Sequence, residues 1–551
     1  MKRNILSLAA LLICGALFAQ EDNKNAVVSV ENDYNPTVVT VKKKNFTPTV
    51  EGKSNAKPAE LIFSKQATPY NGFVSERDAK DVLPAQERAL PGYLRVGYGI
   101  RNDIDAKLSY NLNLGKRSYL RVLGAFDGFK SKVDGIVYDK WNSRLFNTAA
   151  GLDFGYKFNK LIVGITGDFN NRVLNYQKAN DNTGSSNNQH HMNYNVGING
   201  TSQLAGPVAY TFKAGYGSSN LCYIDGTKSP INEQHINAGG TFAYEIYTKY
   251  MRRAGIEIDF NGFLYNNTLL TSVHKYSNYL SIDFNPYADF NFNNWEMTFG
   301  LNMNFLTANG PVVAVAPHIT VDKALTRRIS FYADITGGRK DNSFKTIEGI
   351  TPYWGYNRAE DRQIKPTYRI VDVTAGTRMT LEPLYFDVFA GYVLTKDDLL
   401  QTRVYSSTPT ALVYSNFAQA FTNDIHAGAR IGYDYGGWLN IEADGRYDYW
   451  TCKNRDWLVL RPEITANAKL EVRPIKNLTM RVGYNFTHYS KSENGTRISD
   501  KHDLHARISY SINKYVGAFI QGDNLLNDKY YDYAGYHTRG IRGMLGATVN
   551  F

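Results

Sequence analysis

The last nine residues of the chain, 543–551, alternate between apolar side chains and polar or small ones. One face of the alternation holds Leu545, Ala547, Val549 and Phe551, and the other holds Gly546, Thr548 and Asn550. Because successive side chains of a strand point to opposite sides, this period of two predicts a strand between two different environments. A strand with one apolar face and one polar face that ends on an aromatic residue is typical of outer-membrane β-barrels. The sequence therefore predicts a chain that crosses a membrane with strands.

The opening residues, 1–19, predict export from the cytoplasm. Lys2 and Arg3 precede an apolar run over 5–18, and Ala19 is a suitable cleavage residue. This order of a basic, an apolar and a small-residue region is that of a secretory signal peptide, which is removed from the mature protein. The rest of the sequence has no apolar run long enough for a membrane-spanning helix.

The composition agrees with strands that face lipid on one side only. Mean hydropathy is −0.39, yet the chain has 40 Tyr and 28 Phe, which suits aromatic girdles at two membrane interfaces. The formal charge of +11 is scattered, without a basic helix or an RNA-binding motif, so no nucleic-acid partner is expected. Cys222 and Cys452 lie far apart in sequence. They exclude a disulfide framework but leave one bridge between them open.

Residues 20–91 differ in composition from the remainder. Six of the 17 prolines lie between residues 36 and 91, and the apolar positions show no sustained period. Such a stretch predicts a short, irregular, extended periplasmic segment rather than a packed domain.

From residue 92 to residue 551 the sequence reads as strands joined alternately by short and long connections. Every second connection is short, and the longest runs from 339 to 369. Outer-membrane barrels have short periplasmic turns and long external loops, so this parity predicts an all-β fold. We expect a transmembrane antiparallel β-barrel of about 22 strands, preceded by the irregular periplasmic segment. A soluble sandwich or propeller would not readily alternate its loop lengths in this way.

The closing residues resemble a known family. The run 522–531, then Gly535 and Tyr536, then 542–551 is similar to the closing hairpin of TonB-dependent receptors, although Leu526 stands where that family usually has Phe. The opening strand over 92–99 looks like those of receptor-type barrels from the Bacteroidetes. The resemblance implies a barrel of about 22 strands in the outer membrane of a Gram-negative bacterium.

The resemblance is incomplete at the N-terminus. TonB-dependent receptors carry a plug domain larger than residues 20–91, so this segment is at most a minimal plug. Val27, Val28 and Val30 form a β-prone run, which in that family can pair with a TonB-type periplasmic protein by strand addition. An ordinary extended tail is the alternative interpretation.

No catalytic site, cofactor or metal site is predicted. No Gly-x-Ser-x-Gly run is present, so we do not expect an enzyme. His190 and His191 border an Asn-rich stretch and are interpreted as a solvated loop pair in preference to metal ligands.

The longest connection is the candidate ligand-contact loop. Its candidate residues are Tyr353, Trp354, Tyr356, Arg358 and Arg362. Aromatic rings stack on ligands and Arg recognises acceptors with two donors at once. The alternative is that these aromatic residues fold back on the rim for structural reasons.

Alternation also predicts which charged side chains line the lumen. The candidates are Glu245, Arg328, Asp334, Arg481 and Arg507. The arginines either give a positive lumen that favours anions or pair with inward acidic residues such as Asp503.

Together these features predict a receptor or transport barrel that passes a small or medium-sized solute. The alternative is a non-transporting anchor or assembly partner that binds a periplasmic protein through residues 20–91. Expected partners are outer-membrane lipid, a TonB-type or other periplasmic protein, and a surface lipoprotein.

Overall fold

We describe a computed structural model of the chain over residues 90–551. The description omits 136–139, 179–187, 204–206, 225–226, 247, 267–275, 355–362, 405–411 and 491–497. The candidate partner-contact residues Val27, Val28 and Val30 lie outside the described residues.

Strands dominate the described residues. In chain order they are β1 (Gly92–Gly99), β2 (Asp103–Asn113), β3 (Ser118–Asp134), β4 (Lys140–Lys157), β5 (Leu161–Asn175), β6 (Gln177–Lys178), β7 (Asn188–Ser202), β8 (Val208–Ile224), β9 (Thr227–Glu245), β10 (Met251–Asn266), β11 (Tyr279–Phe292), β12 (Trp295–Leu306), β13 (Val313–Ala324), β14 (Ile329–Lys340), β15 (Thr367–Leu381), β16 (Leu384–Val404), β17 (Leu412–Tyr435), β18 (Leu439–Cys452), β19 (Pro462–Ile475), β20 (Leu478–Tyr489), β21 (Lys501–Ser511), β22 (Val516–Asp523), β23 (Tyr531–Tyr533), β24 (Tyr536–His537) and β25 (Arg542–Asn550).

Apart from the short strands β6, β23 and β24, the strands form one closed antiparallel barrel of 22 strands. Each barrel strand pairs with the next, and β1 pairs with both β2 and β25. At this seam Gly92 donates to the Phe551 carbonyl at 2.7 Å and accepts from the Phe551 amide at 3.0 Å. The predicted fold class and strand number are confirmed.

The connections alternate in length, as the sequence predicts. Short turns such as 382–383 lie at the end of the barrel where both chain termini of the barrel meet. Long connections lie at the other end, and the longest joins β14 to β15 over 341–366. By the rule for this class of barrel, the end with short turns is periplasmic and the end with long loops is extracellular.

The outer surface of the barrel is apolar and carries aromatic residues at both edges. Beside the periplasmic turns, the exposed aromatic residues are Phe158, Tyr250, Tyr435, Trp438, Tyr515 and Phe551. Toward the extracellular end they include Tyr98, Phe421, Tyr447 and Tyr449. Between these two girdles lie exposed aliphatic residues such as Ile165, Leu301 and Val388. On the closing strand Leu545 is 65% exposed on the lipid side, which confirms the predicted facing of the last residues.

Helices are short in the described residues: α1 (Phe344–Ile350) and one 3-10 helix, Arg455–Leu458. Among the residues that the structure describes, no helix combines the length and the apolar character needed to cross a membrane. Cys222 lies on β8 and Cys452 on β18, and among the described residues no disulfide joins them, so the bridge left open by the sequence is absent.

Near the seam the ring of Phe519 lies on Gly546 of the neighbouring strand. A Cβ added at Gly546 would meet this ring and the Val96 carbonyl at distances that real Cβ atoms do not adopt. We therefore expect Gly546→Val to lower the free energy of unfolding by about 2 kcal/mol, through overpacking. The measurement is the urea midpoint at which the detergent-solubilised protein loses the heat-modifiable electrophoretic mobility of a folded barrel.

Gly167 provides the matched control for this substitution. It also lies within a barrel strand, β5, but a Cβ added there would have no atom within 4 Å. Gly167→Val should keep the wild-type midpoint. A wild-type midpoint for Gly546→Val as well would show that the Phe519–Gly546 contact does not constrain the seam.

Candidate functional site

The connection between β14 and β15, residues 341–366, turns inward into the barrel as soon as β14 ends. Arg339, whose side chain is only 2% exposed, forms an ion pair at 2.8 Å with Asp283 on the lumen face of β11 and another with Asp341. Asn342 donates to the Lys365 carbonyl at 2.7 Å, so the two ends of the connection are held together. The connection therefore leaves the wall with its direction fixed.

Helix α1 forms within this connection because its N-terminus is capped and one side of it is apolar. The Ser343 hydroxyl accepts from the Thr346 amide at 3.2 Å, as an N-cap does. Phe344 and Ile347 pack in a buried apolar cluster inside the barrel. The other buried members of this cluster are Leu221, Ile231, Tyr276, Trp354, Leu399 and Phe417. Leu221 and Ile231 lie on β8 and β9, and Leu399 and Phe417 lie on β16 and β17, so the helix joins two separate parts of the wall through a small apolar core inside the lumen.

Glu348 anchors α1 to the lumen face of β5 and β7. Its carboxylate accepts from Asn193 Nδ2 at 2.6 Å, and lies 3.2 Å from Arg172 and 3.7 Å from His191 Nδ1. Burial alone would raise the pKa of Glu348, but the charges of His191 and Arg172 and the hydrogen bonds of His191 and Asn193 lower it to about 2. The carboxylate is therefore ionised at neutral pH and bound to the wall by charge-assisted contacts.

A second carboxyl group anchors the other end of the helix. Glu233 on β9 is 2% exposed, and its Oε1 accepts from the Phe344 backbone amide at 3.0 Å. This amide is one of those left without a partner inside a helix, so Glu233 also acts as a cap. The two anchors, Glu233 and Glu348, tie α1 to strands that are distant along the wall from β14.

Beyond the helix the chain continues along the top of β17. The Tyr353 carbonyl accepts from the Ser415 amide at 2.8 Å, and the Trp354 carbonyl accepts from the Tyr176 hydroxyl at 2.8 Å. Tyr353 also stacks on Tyr536 of the last extracellular connection, with ring centroids 3.6 Å apart. The connection thus joins three separate parts of the extracellular rim.

The candidate ligand-contact residues have different positions in the structure. Tyr353 and Trp354 are 3% and 2% exposed, so they are part of the buried packing at the extracellular end. Tyr356, Arg358 and Arg362 lie outside the described residues. Ligand contact by this loop therefore stays a prediction.

The last extracellular connection closes over the inward loop. The Tyr536 hydroxyl donates to the Val413 carbonyl at 2.5 Å and accepts from the Gln177 amide at 3.2 Å. Tyr533 contacts the Tyr353 ring edge-on, with centroids 5.5 Å apart. Burial and the neighbouring Asp532 raise the pKa of Tyr533 to about 12, with burial the larger cause. These phenols stay neutral and serve as hydrogen-bonding, packing groups.

The predicted lumen-lining residues are distributed along the wall and do not meet at one site. Glu245 ends β9, opposite Arg253 in register. Arg328 lies in the exposed periplasmic turn before β14. Asp334 lies on β14 and lines the lumen with Tyr332, whereas Ile329, Phe331, Ala333 and Ile335 alternate with them on the other face.

Two of the predicted arginines have partners on the lumen wall. Arg481 Nε donates to Glu471 on the adjacent strand β19 at 2.7 Å. Arg507 lies over the Phe519 ring, 4.3 Å from its centroid. Further pairs on the wall join Arg95 to Asp105, Arg253 to Asp289 and Arg378 to Asp322. Arg481 is therefore paired with an acidic residue and Arg507 rests on an aromatic ring, and both interpretations of the lumen arginines stay predictions.

Asp334 lines a cavity of about 300 Å³ in the periplasmic half of the lumen. Its other lining groups include Arg252, Asp289, Glu296, Asp322 and Arg378. The charges have both signs, so the cavity suits a polar occupant rather than an apolar one.

Sequence reasoning missed the anchors of α1. Glu348 and Arg172 are 176 residues apart, and only the closed barrel brings them together. The interpretation of His190 and His191 as a solvated loop pair was wrong, because both lie in β7 and His191 is 2% exposed. Alternation along β7 would have identified His191 as inward, but nothing in the sequence points to its partner.

Solved structures with the same fold are outer-membrane receptors and transporters. The FrpB iron transporter from Neisseria meningitidis (F3-3 variant) matches with a TM-score of 0.65 and 13% identity, over 86% of this chain and 83% of that chain. A variant of the ferric enterobactin receptor from Pseudomonas aeruginosa matches with a TM-score of 0.62 and 12% identity, over 84% and 80%. The copper transporter OprC matches with a TM-score of 0.59 and 11% identity, over 85% and 81%.

No family model matches the sequence, and no curated protein matches it. At these identities the likeness concerns the fold. The lipid-facing belt, the closed 22-stranded wall and this likeness make the protein an outer-membrane β-barrel.

The ion pairs of Glu348 lead to a prediction of pH dependence. The pKa of Glu348 is 4.5 in water and about 2 when α1 is docked in the lumen. Ionised Glu348 therefore stabilises docking by about 3 kcal/mol above pH 4.5. This contribution decreases as the pH falls from about 4.5 to about 2. We expect the connection to undock over that range, and Glu348→Gln to weaken docking already at pH 7.

Trp354 is the reporter for this undocking. The difference in fluorescence between the wild-type protein and Trp354→Phe isolates its emission, which should shift to the red as the ring enters water. Glu382→Gln, in an exposed periplasmic turn, is the control and should behave as wild type. An emission of Trp354 that does not change between pH 5 and pH 2 would contradict the role of Glu348.

Proposed function

We propose that the protein is an outer-membrane receptor that takes up a small or medium-sized polar solute, and that connection 341–366 closes its extracellular entrance. The observation that carries the proposal is that α1 lies inside the lumen and is attached to strands distant from β14. The helix follows β14 in the chain and is held by Glu233 of β9 and by its own Glu348, which pairs with Arg172 of β5 and His191 of β7. A loop with only a structural role would need no attachment to strands far from β14. A loop that closes the entrance does need one.

The chemistry of the attachment suits a reversible closure. Charged and polar groups hold the helix, and water can replace each of their hydrogen bonds when the helix leaves. A wholly apolar attachment would expose its surface to water on opening without any such compensation. The polar cavity around Asp334 and Arg378 below offers a place for a polar solute after entry.

The similar structures support the class of function. Those proteins are an iron transporter, a ferric enterobactin receptor and a copper transporter. For this chain we propose uptake without naming the solute. A barrel of this width conducts unless its lumen is filled. The proposed receptor therefore combines an obstructed lumen with a passage for the solute.

The first test concerns the loop. Replacement of residues 343–352 by a short Gly-Ser linker should raise the single-channel conductance in planar bilayers by about twofold or more, because α1 no longer occupies part of the lumen. The matched control is a linker of the same kind in place of 454–459, which contains the 3-10 helix. Equal conductance of the two replacements would contradict closure by α1.

The second test concerns residues 20–91, which we propose as a minimal plug. Deletion of 21–90 should raise the conductance, and deletion combined with the loop replacement should raise it most. The wild-type protein, the loop replacement, the deletion and their combination form a complete cycle. The effects of the two obstructions on conductance can therefore be separated. Identical conductance with and without 21–90 would contradict the plug. Recovery of a TonB-type protein by the isolated segment would then favour its role as a partner-binding tail through Val27, Val28 and Val30.

A further inference from the structure

Two carboxylates and one imidazole meet on the lumen wall at β17 and β18. Asp424 and His426 are two residues apart on β17 and so share its lumen face. Asp448 lies on β18 directly opposite His426 in register. All three side chains are buried, with exposed fractions of 1%, 4% and 5% for Asp424, His426 and Asp448. Their potential ligand atoms all lie within 4.8 Å of one another.

The spacing of this cluster is close to that of a metal site. His426 Nδ1 lies 3.2 Å from Asp424 Oδ2. Two ligand atoms of a tetrahedral zinc ion, each about 2.0 Å from the metal, are about 3.3 Å apart. An imidazole with two carboxylates is a donor set for divalent first-row transition metals. The third ligand, from Asp448, needs only a small side-chain movement to complete the set.

A neighbouring residue orients the imidazole for this role. His426 Nε2 lies 3.4 Å from the Thr374 hydroxyl, and a Cβ at Gly391 would overlap the imidazole ring, so the glycine makes room for it. Without a metal, the 3.2 Å contact is a hydrogen bond in which Nδ1–H donates to Asp424 Oδ2. A metal ion bound between the two atoms replaces that proton, and Nε2–H then donates to the Thr374 hydroxyl. A hydrogen bond from the ring nitrogen that does not bind the metal fixes the tautomer of a metal-binding histidine.

Arg446 neutralises the cluster only in part. Its Nη2 lies 3.0 Å from Asp424 Oδ2 and 2.6 Å from Asp448 Oδ1. Asp424 Oδ1 is buried and has no hydrogen-bond partner among the described residues. One guanidinium against two carboxylates leaves a net charge of −1 with His426 neutral. The Arg446 side chain is 39% exposed, so it can turn into the lumen and leave both carboxylates to another cation.

We propose that Asp424, His426 and Asp448 bind a divalent transition-metal ion on the lumen wall, and that Arg446 is the counter-ion which the metal displaces. A buried carboxylate oxygen without a partner, the ligand spacing and the oriented imidazole all point to the same ligand. The site goes beyond the proposed uptake function and does not depend on it, because binding is measured on the purified barrel.

The test is the titration of untagged, full-length protein in detergent with Zn²⁺, followed by calorimetry, and with Co²⁺, followed by its visible absorption. We expect one saturable site in the wild-type protein. His426→Ala and Asp424→Asn should each weaken Zn²⁺ binding by about tenfold or more, as the loss of a ligand does. Asp448→Asn, which keeps the shape of the side chain, should weaken it in the same direction.

Arg446→Gln separates a metal site from a purely structural cluster. Removal of the competing positive charge should tighten Zn²⁺ binding by about tenfold. If the cluster serves only to hold the strands together, this substitution leaves Zn²⁺ binding as weak as in His426→Ala. That result would overturn the proposal.

The chain itself provides the matched control. Asp503 and His505 repeat the same spacing on the lumen face of β21, but the residue opposite His505 is Gly483 rather than an aspartate. His505→Ala should therefore leave Zn²⁺ affinity unchanged. Heat-modifiable mobility of every variant confirms that it folds. Zn²⁺ binding that is absent in the wild-type protein, or that survives unchanged in His426→Ala, would overturn the assignment.

Discussion

Closure of the sheet is the constraint on which the rest of the structure depends. In lipid every backbone amide and carbonyl needs a partner inside the protein, and the pairing of β1 with β25 removes the last unpaired edges. Closure forces successive side chains into two different solvents, lipid outside and a polar lumen inside. The alternation that ends at Phe551, with Leu545 in lipid and Asn550 on the other face, is the local form of this constraint.

The number of strands creates a second requirement. A ring of 22 strands encloses a lumen too wide for the side chains of its own wall to fill. The wall therefore carries paired charges that remain hydrated or are covered, such as Arg481 with Glu471. The connection after β14 covers part of this lumen with its own small apolar core, in which Phe344 and Trp354 are in contact. Its polar ends attach to the wall through Glu233 and Glu348.

Features that depend on neighbouring residues could be predicted from the sequence, and features that depend on register across the barrel could not. Strand faces, such as Ile329 outside and Asp334 inside, follow from a period of two. The parity of the connections follows from their lengths. The ion pair of Glu348 with Arg172 does not, because it needs the position of one loop relative to a strand 176 residues away. Their aromatic rings make Tyr353 and Trp354 candidates for ligand contact, but the sequence gives no sign that both side chains are buried.

The same distinction explains why the cluster at Asp424 and His426 has no signal in the sequence. An Asp-x-His run on a strand is common and, as at Asp503 and His505, has no meaning alone. What makes it a candidate is Asp448, which the register of β17 with β18 places opposite His426. In a wide barrel any two adjacent strands can present such a set, so the wall offers many lumen-facing combinations at little cost to the fold. Buried charges that the wall pairs incompletely, as at Asp424, are where binding is expected to arise, because an added cation there restores a contact that burial has removed.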